Sequence, residues 1–311
     1  MRWRHTRFDG GATLRIMKQD PEPGKLRLVP PETPEELALR YDREKRAMLV
    51  QREDGLLNSL APFRVGTVSF LNGAPLNRGL EDQLIYAVPS ELAARLRRGE
   101  LDAALVSITE VLLNDGYDIL DGVAIASLGE VQSVFLAHRG PIEAVNEVYC
   151  DPASLASVNL LRVLLAERGL HPEFKPLPRY DLGNLPDYTL LIGDVALDFL
   201  LGERTHQIWD LGTAWYDSNR LPFVYAVWAL RRGQPNQVLR QRLREAKDFG
   251  LETLDSIVGN LTQYTYAFRK DYLGWHIHYH LGADEKRGIA RFCDLLRKHG
   301  LGPVYEPRFV A

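Results

Sequence analysis

From about residue 63 onward the apolar residues fall into short runs separated by polar breaks. Arg64-Val-Gly-Thr-Val-Ser-Phe70 reads as a strand that runs into Leu71-Asn-Gly, and Leu101-Asp-Ala-Ala-Leu-Val-Ser107 is a second strand of the same kind. Each breaks into small polar side chains, and residues 89–99 between them carry helical spacing. Strands apolar on both faces belong inside a covered sheet, and open α/β sheets bind ligands beyond the carboxyl ends of their strands. The same reading predicts a helix over 108–114, a strand near 122–127 and a longer strand over 131–138. A strand at 147–150, a helix over 154–168, a strand over 188–192 ending in Gly193-Asp194 and a helix from Val195 follow. A strongly β-type strand covers 222–230, and the rest is helical over 237–249, 251–261 and 284–299. Alternating β and α elements predict parallel sheets.

The strands over 131–138 and 222–230 bracket a middle block of strand-helix-strand-helix. The simplest topology sends the chain from one lobe to a second and back. Residues 63–132 and 224–311 then form lobe I, residues 133–223 form lobe II, and a ligand sits in the cleft between them. Residues 1–62 differ from the rest, with Pro21, Pro23, Pro30, Pro31 and Pro34 and charges that alternate without a core pattern. They read as an N-terminal extension packed on the domain surface, with one helix. Thr33 is its N-cap, Pro34 its first residue and Glu36 completes a capping box. Gly55 stops it, and Leu37, Tyr41, Met48 and Leu49 form its apolar stripe.

Composition narrows the function. With 45% apolar and 25% charged residues in 311, the chain has material for one large domain or two lobes. A net charge of −3 gives no reason to expect nucleic acid. Cys150 and Cys293 lie far apart and read as reduced, buried thiols. The basic first twenty residues lack the apolar run of a secretory signal, and no stretch approaches the ~18 apolar residues of a membrane span. A cytoplasmic protein with no membrane partner is expected. There is no GxSxG, P-loop or GxGxxG, which disfavours serine-triad and nucleotide chemistry. On a strand, His276, His278 and His280 would share one face, but no carboxylate or cysteine accompanies them, so a surface cluster is expected rather than a metal site.

Five runs, in order, carry a resemblance: SFLNGAPL from Ser69, LDAALVSITE from Leu101, GEVQSVFLAHR from Gly129, LLIGDVAL from Leu190 and DLGTAWYDSNRLPFVYAVWA from Asp210. Together they resemble the chorismate dehydratase family of the futalosine route to menaquinone, over about residues 64–311 and not over 1–62. The resemblance implies an α/β, two-lobe fold of the type 2 periplasmic-binding-protein kind. It also implies a lyase that removes water from chorismate to give 3-[(1-carboxyvinyl)oxy]benzoate, with no metal or other cofactor. Its small-molecule substrate is a dicarboxylate. Asn72 and Ser133 match family positions that line the cleft and are implicated in catalysis. Ser107, Ser154, Ser157 and Asp194 are the candidates for holding substrate, since free amides where a helix opens near Ser154 make an anion site. Two departures stand out. The family's SRTS appears as Ser154-Leu155-Ala156-Ser157, and the proline of its GPVxS is Glu130.

Blander readings accompany each residue. Asn72-Gly73 is also a turn-forming pair, Ser133 an ordinary strand serine, and one of Ser154 and Ser157 a helix cap. Asp194 suits capping as well as ligand contact. Trp215, Phe223 and Trp228 fit the core better than a cleft wall, and Glu110 fits a solvated or capping position. Two other functions share the fold: a non-catalytic binder of small carboxylates, and a later-step enzyme like 1,4-dihydroxy-6-naphthoate synthase. The latter would need a histidine base, for which His138 is nearest.

Overall fold

The computed structural model describes residues 4–7, 13–17, 27–28, 33–150, 155–179 and 181–311. The chain divides into two compact units, residues 1–55 and 56–311. In the first, β1 (Arg4–Arg7), β2 (Thr13–Met17) and β3 (Arg27–Leu28) pair antiparallel in that order. Helix α1 (Pro34–Leu56) begins at the expected capping box: Glu36 N–H donates to Thr33 Oγ1 at 3.2 Å and Thr33 N–H to Glu36 Oε2 at 2.9 Å. The helix continues through Gly55 instead of stopping there.

The second unit opens with β4 (Val65–Thr67), a 3-10 turn at Leu71–Gly73 and the one-turn helix α2 (Ala74–Asn77). There follow β5 (Ile85–Tyr86), α3 (Pro89–Arg97), β6 (Ala103–Ser107), α4 (Ile108–Leu112) and β7 (Tyr117–Ser127). Next come β8 (Val134–His138), β9 (Glu147–Cys150), α5 (Leu155–Ala166), β10 (Glu173–Pro176) and β11 (Tyr188–Ile192). The chain goes on through α6 (Gly193–Leu201), β12 (Gln207–Asp210), α7 (Leu211–Asn219) and β13 (Phe223–Arg231). It closes with α8 (Gln237–Glu252), α9 (Leu254–Asn260), α10 (Tyr266–Asp271), a π-helical turn at Tyr272–His276, α11 (Ala283–Lys298) and β14 (Phe309–Val310).

Two sheets result. One has the strand order β14-β7-β13-β6-β4-β5, the other β10-β9-β11-β8-β12. The expected parallel sheets are in fact mixed. Strand β13 runs antiparallel to both β6 and β7, and β8 antiparallel to both β11 and β12, while β4, β5, β6 and β9, β10, β11 pair parallel. The antiparallel strands are those by which the chain enters the second sheet and returns to the first. No helix intervenes between β7 and β8, so the rule that makes βαβ units parallel does not act there. The strand expected over 131–138 starts only at Val134, because Gln132 adopts a left-handed φ of 62° that no ladder accepts. Strand 64–70 likewise ends at Thr67, where the chain turns into the 3-10 segment that contains Asn72.

The core follows the apolar runs. Val65, Leu105, Ile119, Val123, Val227 and Trp228 are buried in the larger sheet, and Phe135, Leu136, Val148 and Leu191 in the smaller. Trp215 stacks edge-on against Phe223 at 5.2 Å and donates to the Pro222 carbonyl at 3.2 Å, and Trp215, Phe223 and Trp228 are core as expected. Glu110 is neither solvated nor a cap. It is buried in an ion pair with Arg97 at 2.5 Å and accepts from Tyr117 at 3.3 Å.

Helix α8 packs closely on α2. A Cβ on Gly250 would lie 1.8 Å from the Pro75 carbonyl oxygen, a backbone atom that no rotamer moves. Gly250→Ala should therefore lower stability by about 2–3 kcal/mol, read from the midpoint of urea unfolding. An unchanged midpoint would show that the two helices separate without cost.

Candidate functional site

A cavity of about 90 Å³ lies between the ends of the two sheets. The larger sheet contributes Val68, Phe70 and Asn72 after β4, Ser107 at the end of β6, Ile125 on β7 and Tyr225 on β13. From the smaller sheet's side come Ser133 and Val134 before and on β8, Leu155, Ala156 and Ser157 at the start of α5, and Gly193 at the start of α6. The carboxyl ends of β4, β6 and β11 thus meet at one place, as the ligand rule for open α/β sheets requires.

Of the sequence candidates, Asn72, Ser107, Ser133 and Ser157 line this cavity. Ser154 lies outside the described residues. Asp194 is absent from the lining: its Oδ1 accepts the Leu71 N–H at 3.0 Å, a link between the start of α6 and the 3-10 turn that carries Asn72. Burial pushes the Asp194 pKa up, and the Leu71 amide pulls it back. Ser107 also caps α4, accepting from Thr109 N–H at 3.1 Å. Glu130 faces away from the cavity, its exposed carboxylate 3.6 Å from His276 Nδ1. His138 sits four residues beyond Val134 on β8, ~13 Å along the strand, where its Nδ1 contacts the Gly140 carbonyl at 2.7 Å. Among the described residues no group of three metal-ligating side chains exists, and His276, His278 and His280 do not form one.

The turn that delivers Ser133 is held from below. Asp210, the N-cap of α7, accepts from Thr213 N–H at 2.8 Å, Gln132 N–H at 2.9 Å and Val131 N–H at 3.2 Å. Loss of solvent raises its pKa, and the three amides oppose the rise. Ser133 itself is 1% exposed, and its carbonyl accepts from Gly193 N–H at 2.8 Å. Gly193 has a φ of 60°, and the Phe70 ring lies about 3.2 Å from where a Cβ would stand, so only glycine fits between β11 and α6.

Sequence reasoning missed Tyr272. Its hydroxyl donates to Ser133 Oγ at 2.8 Å, and Asn72 lies beside it. Burial pushes its pKa up. Asn72 Oδ1 is buried with no partner. Among the described residues Tyr225 is the only titratable side chain in the lining, pushed well above the ordinary tyrosine value by burial, and its hydroxyl is 3.1 Å from Ser127 Oγ. Among the described residues the lining offers hydroxyls, one amide and the start of α5, and neither a carboxylate, an imidazole nor a cation. Such a lining holds anions by hydrogen bonds, and it supplies no acid or base near neutral pH.

The comparisons agree with this geometry. A family model described as menaquinone biosynthesis matches residues 63–298. A curated chorismate dehydratase of Thermus thermophilus is 32% identical over 273 residues, covering 80% of this chain and 99% of that protein. Among solved structures, a protein of Archaeoglobus fulgidus superposes with a TM-score of 0.62 at 17% identity, over 77% of this chain and 98% of its own. An ABC transporter protein of Parabacteroides distasonis gives 0.53 at 15% identity, over 76% and 92%. The periplasmic aliphatic sulphonate binding protein of Escherichia coli gives 0.50 at 16%, over 80% and 93%. The fold is the two-lobe, periplasmic-binding-protein-like one, with the cavity in the cleft between lobes.

Asp210 carries a testable consequence. Asp210→Ala leaves three amides without their acceptor, and unsatisfied buried donors cost about 1–3 kcal/mol each. The variant should unfold at clearly lower urea, while Asp217→Ala, an exposed residue of the same helix, should not. Equal midpoints for Asp210→Ala and the parent would mean that the turn needs no clamp.

Proposed function

This chain belongs to the menaquinone biosynthesis family, and we propose from that membership and its cleft that it is a cytoplasmic carbon–oxygen lyase converting chorismate to 3-[(1-carboxyvinyl)oxy]benzoate. The observation that carries the reading is the meeting of Asn72 and Ser133 in a cavity without a titratable group active at neutral pH.

The chemistry suits such a site. The C3–H bond of chorismate breaks, its electron pair becomes a ring double bond, and the C4–O bond breaks, leaving an aromatic ring and water. Conjugation through C1 and C2 to the ring carboxylate acidifies the C3 proton. With no base in the lining, the substrate's own enolpyruvyl carboxylate takes that proton and returns it to the departing hydroxide. The protein's part is to bind and orient. The α5 amides with Ser157 hold a carboxylate and meet the developing charge, and Ser133 and Asn72 hydrogen-bond the leaving hydroxyl. Oriented donors of this kind lower barriers by a few kcal/mol each.

A second reading, a non-catalytic carboxylate binder, draws support from Leu155 and Ala156, which put two apolar side chains where α5 meets the cavity. The later-step enzyme loses support because no histidine lines the cleft among the described residues. Incubation with chorismate, followed by liquid chromatography and mass spectrometry, separates these. Loss of one water without added metal or nucleotide is expected. Thermal stabilisation by chorismate without product would favour the binder.

Ser133→Ala and Asn72→Ala should each slow turnover about a hundredfold or more with the fold retained. Parent-like rates in both would remove these residues from the mechanism. Because burial raises Tyr225 and Tyr272 further from neutrality, no lining group changes charge between about pH 6 and 9. A plot of kcat/KM against pH should be flat there, and an inflection near neutrality would put a protein base into the step.

A further inference from the structure

Tyr272 is a positioning residue: we propose that its hydroxyl sets the hydrogen-bonding polarity of both Ser133 and Asn72, making the serine a donor and the asparagine an acceptor toward the ligand. The inference rests on the reading above, in which those two side chains meet the substrate.

A phenol carries one hydrogen, and that of Tyr272 is given to Ser133 Oγ at 2.8 Å. Ser133 then keeps its own hydrogen for another acceptor. Within the protein the available acceptor is the Val131 carbonyl at 3.4 Å, too long for a strong bond, so a ligand oxygen competes with it easily. A hydroxyl that accepts one hydrogen bond also donates a stronger one. Ser133 is thus presented as a donor.

The same proton fixes Asn72. Its side chain stands beside the phenol oxygen, which has already donated and has only lone pairs left to offer. Only the amide N–H₂ end complements those lone pairs, so Oδ1 must turn the other way. Oδ1 is indeed the atom left buried and unpaired, on a residue that lines the cavity. An unsatisfied buried acceptor is costly, and a ligand hydroxyl relieves it. A leaving hydroxyl thus finds an acceptor for its hydrogen at Asn72 and a donor for its oxygen at Ser133.

The segment that carries Tyr272 is built to hold it. Thr265 caps α10, Phe268 stacks on Tyr272 with rings 6° from parallel, and Tyr272 opens the π-helical turn, a geometry frequent at functional sites. Tyr264, just before, donates to Asp198 Oδ1 at 2.9 Å and to the Asp194 carbonyl at 3.2 Å. His276, just after, meets the Gln132 amide at 2.9 Å and the Glu130 carbonyl at 3.0 Å. One stretch of chain therefore touches the start of α6, the turn before Ser133, and Ser133 itself.

The test is Tyr272→Phe, which keeps the ring and removes only the hydroxyl. It should lower kcat about tenfold to hundredfold with KM changed less than about threefold. Combined with Ser133→Ala, it should cost little beyond the serine change alone, because it acts through that side chain. Additive losses would mean a general structural role and overturn the proposal. A readout independent of turnover comes from proton NMR. The buried phenolic proton should exchange slowly, vanish in Tyr272→Phe, and shift in Ser133→Ala and in Asn72→Ala. A signal unmoved by either alanine would also overturn it. A parent protein inert on chorismate, with the shifts present, would sink the dehydratase reading and leave the polarity assignment standing.

Discussion

The three-residue turn Val131–Ser133 depends on one buried carboxylate. Gln132 is held in the left-handed region, a conformation that costs a non-glycine residue of the order of 1–3 kcal/mol. Asp210 offsets this with hydrogen bonds to two of the turn's amides and one at the start of α7. Bonds from amides to a charged acceptor are roughly twice as strong as neutral ones. The same carboxylate thereby joins the passage out to the smaller sheet with the helix that leads back to the larger one. Ser133, its carbonyl's bond to Gly193, and the wall formed by Val131 all follow from where that turn is pinned.

Among the described residues the cavity lining carries no charged side chain, which has a chemical meaning for the proposed reaction. An arginine or lysine would bind a substrate carboxylate more strongly, but an opposite charge within ~4–6 Å lowers a carboxylate's pKa and weakens it as a base. Neutral donors hold the group and leave more of its basicity. A helix N-terminus contributes about half a unit of positive charge, spread over several amides. In a site that relies on the substrate for its base, Leu155 and Ala156 in place of an arginine and a threonine are compatible with proton transfer, at the expense of affinity.

The fold was legible wherever an apolar run was long enough to bury both its faces. Strands β6, β9, β11 and β13 and helices α3, α8 and α11 lie close to where the pattern put them. Strands β10, β12 and β14 were not visible, because two- to four-residue edges make no period and none of the three carries a buried residue. The early end of the strand before Val134 was hidden too, since a left-handed glutamine has no signature in sequence. Asn72, Ser133, Ser107 and Ser157 reached the cavity because strand ends and helix starts mark it. Asp194 did not, because its carboxylate found the Leu71 amide first. Tyr272 was invisible for a different reason: it lies 139 residues from Ser133, and nothing local distinguishes it from a core tyrosine.

Two short bonds fix Asn72 and Ser133 relative to each other. Leu71 N–H meets Asp194 one residue before Asn72, and Gly193 N–H meets the carbonyl of Ser133. Both bonds converge on the start of α6, so Asn72 and Ser133 are positioned by adjacent residues of one helix terminus. The two side chains that the proposed reaction uses are thus placed by backbone bonds to one helix start.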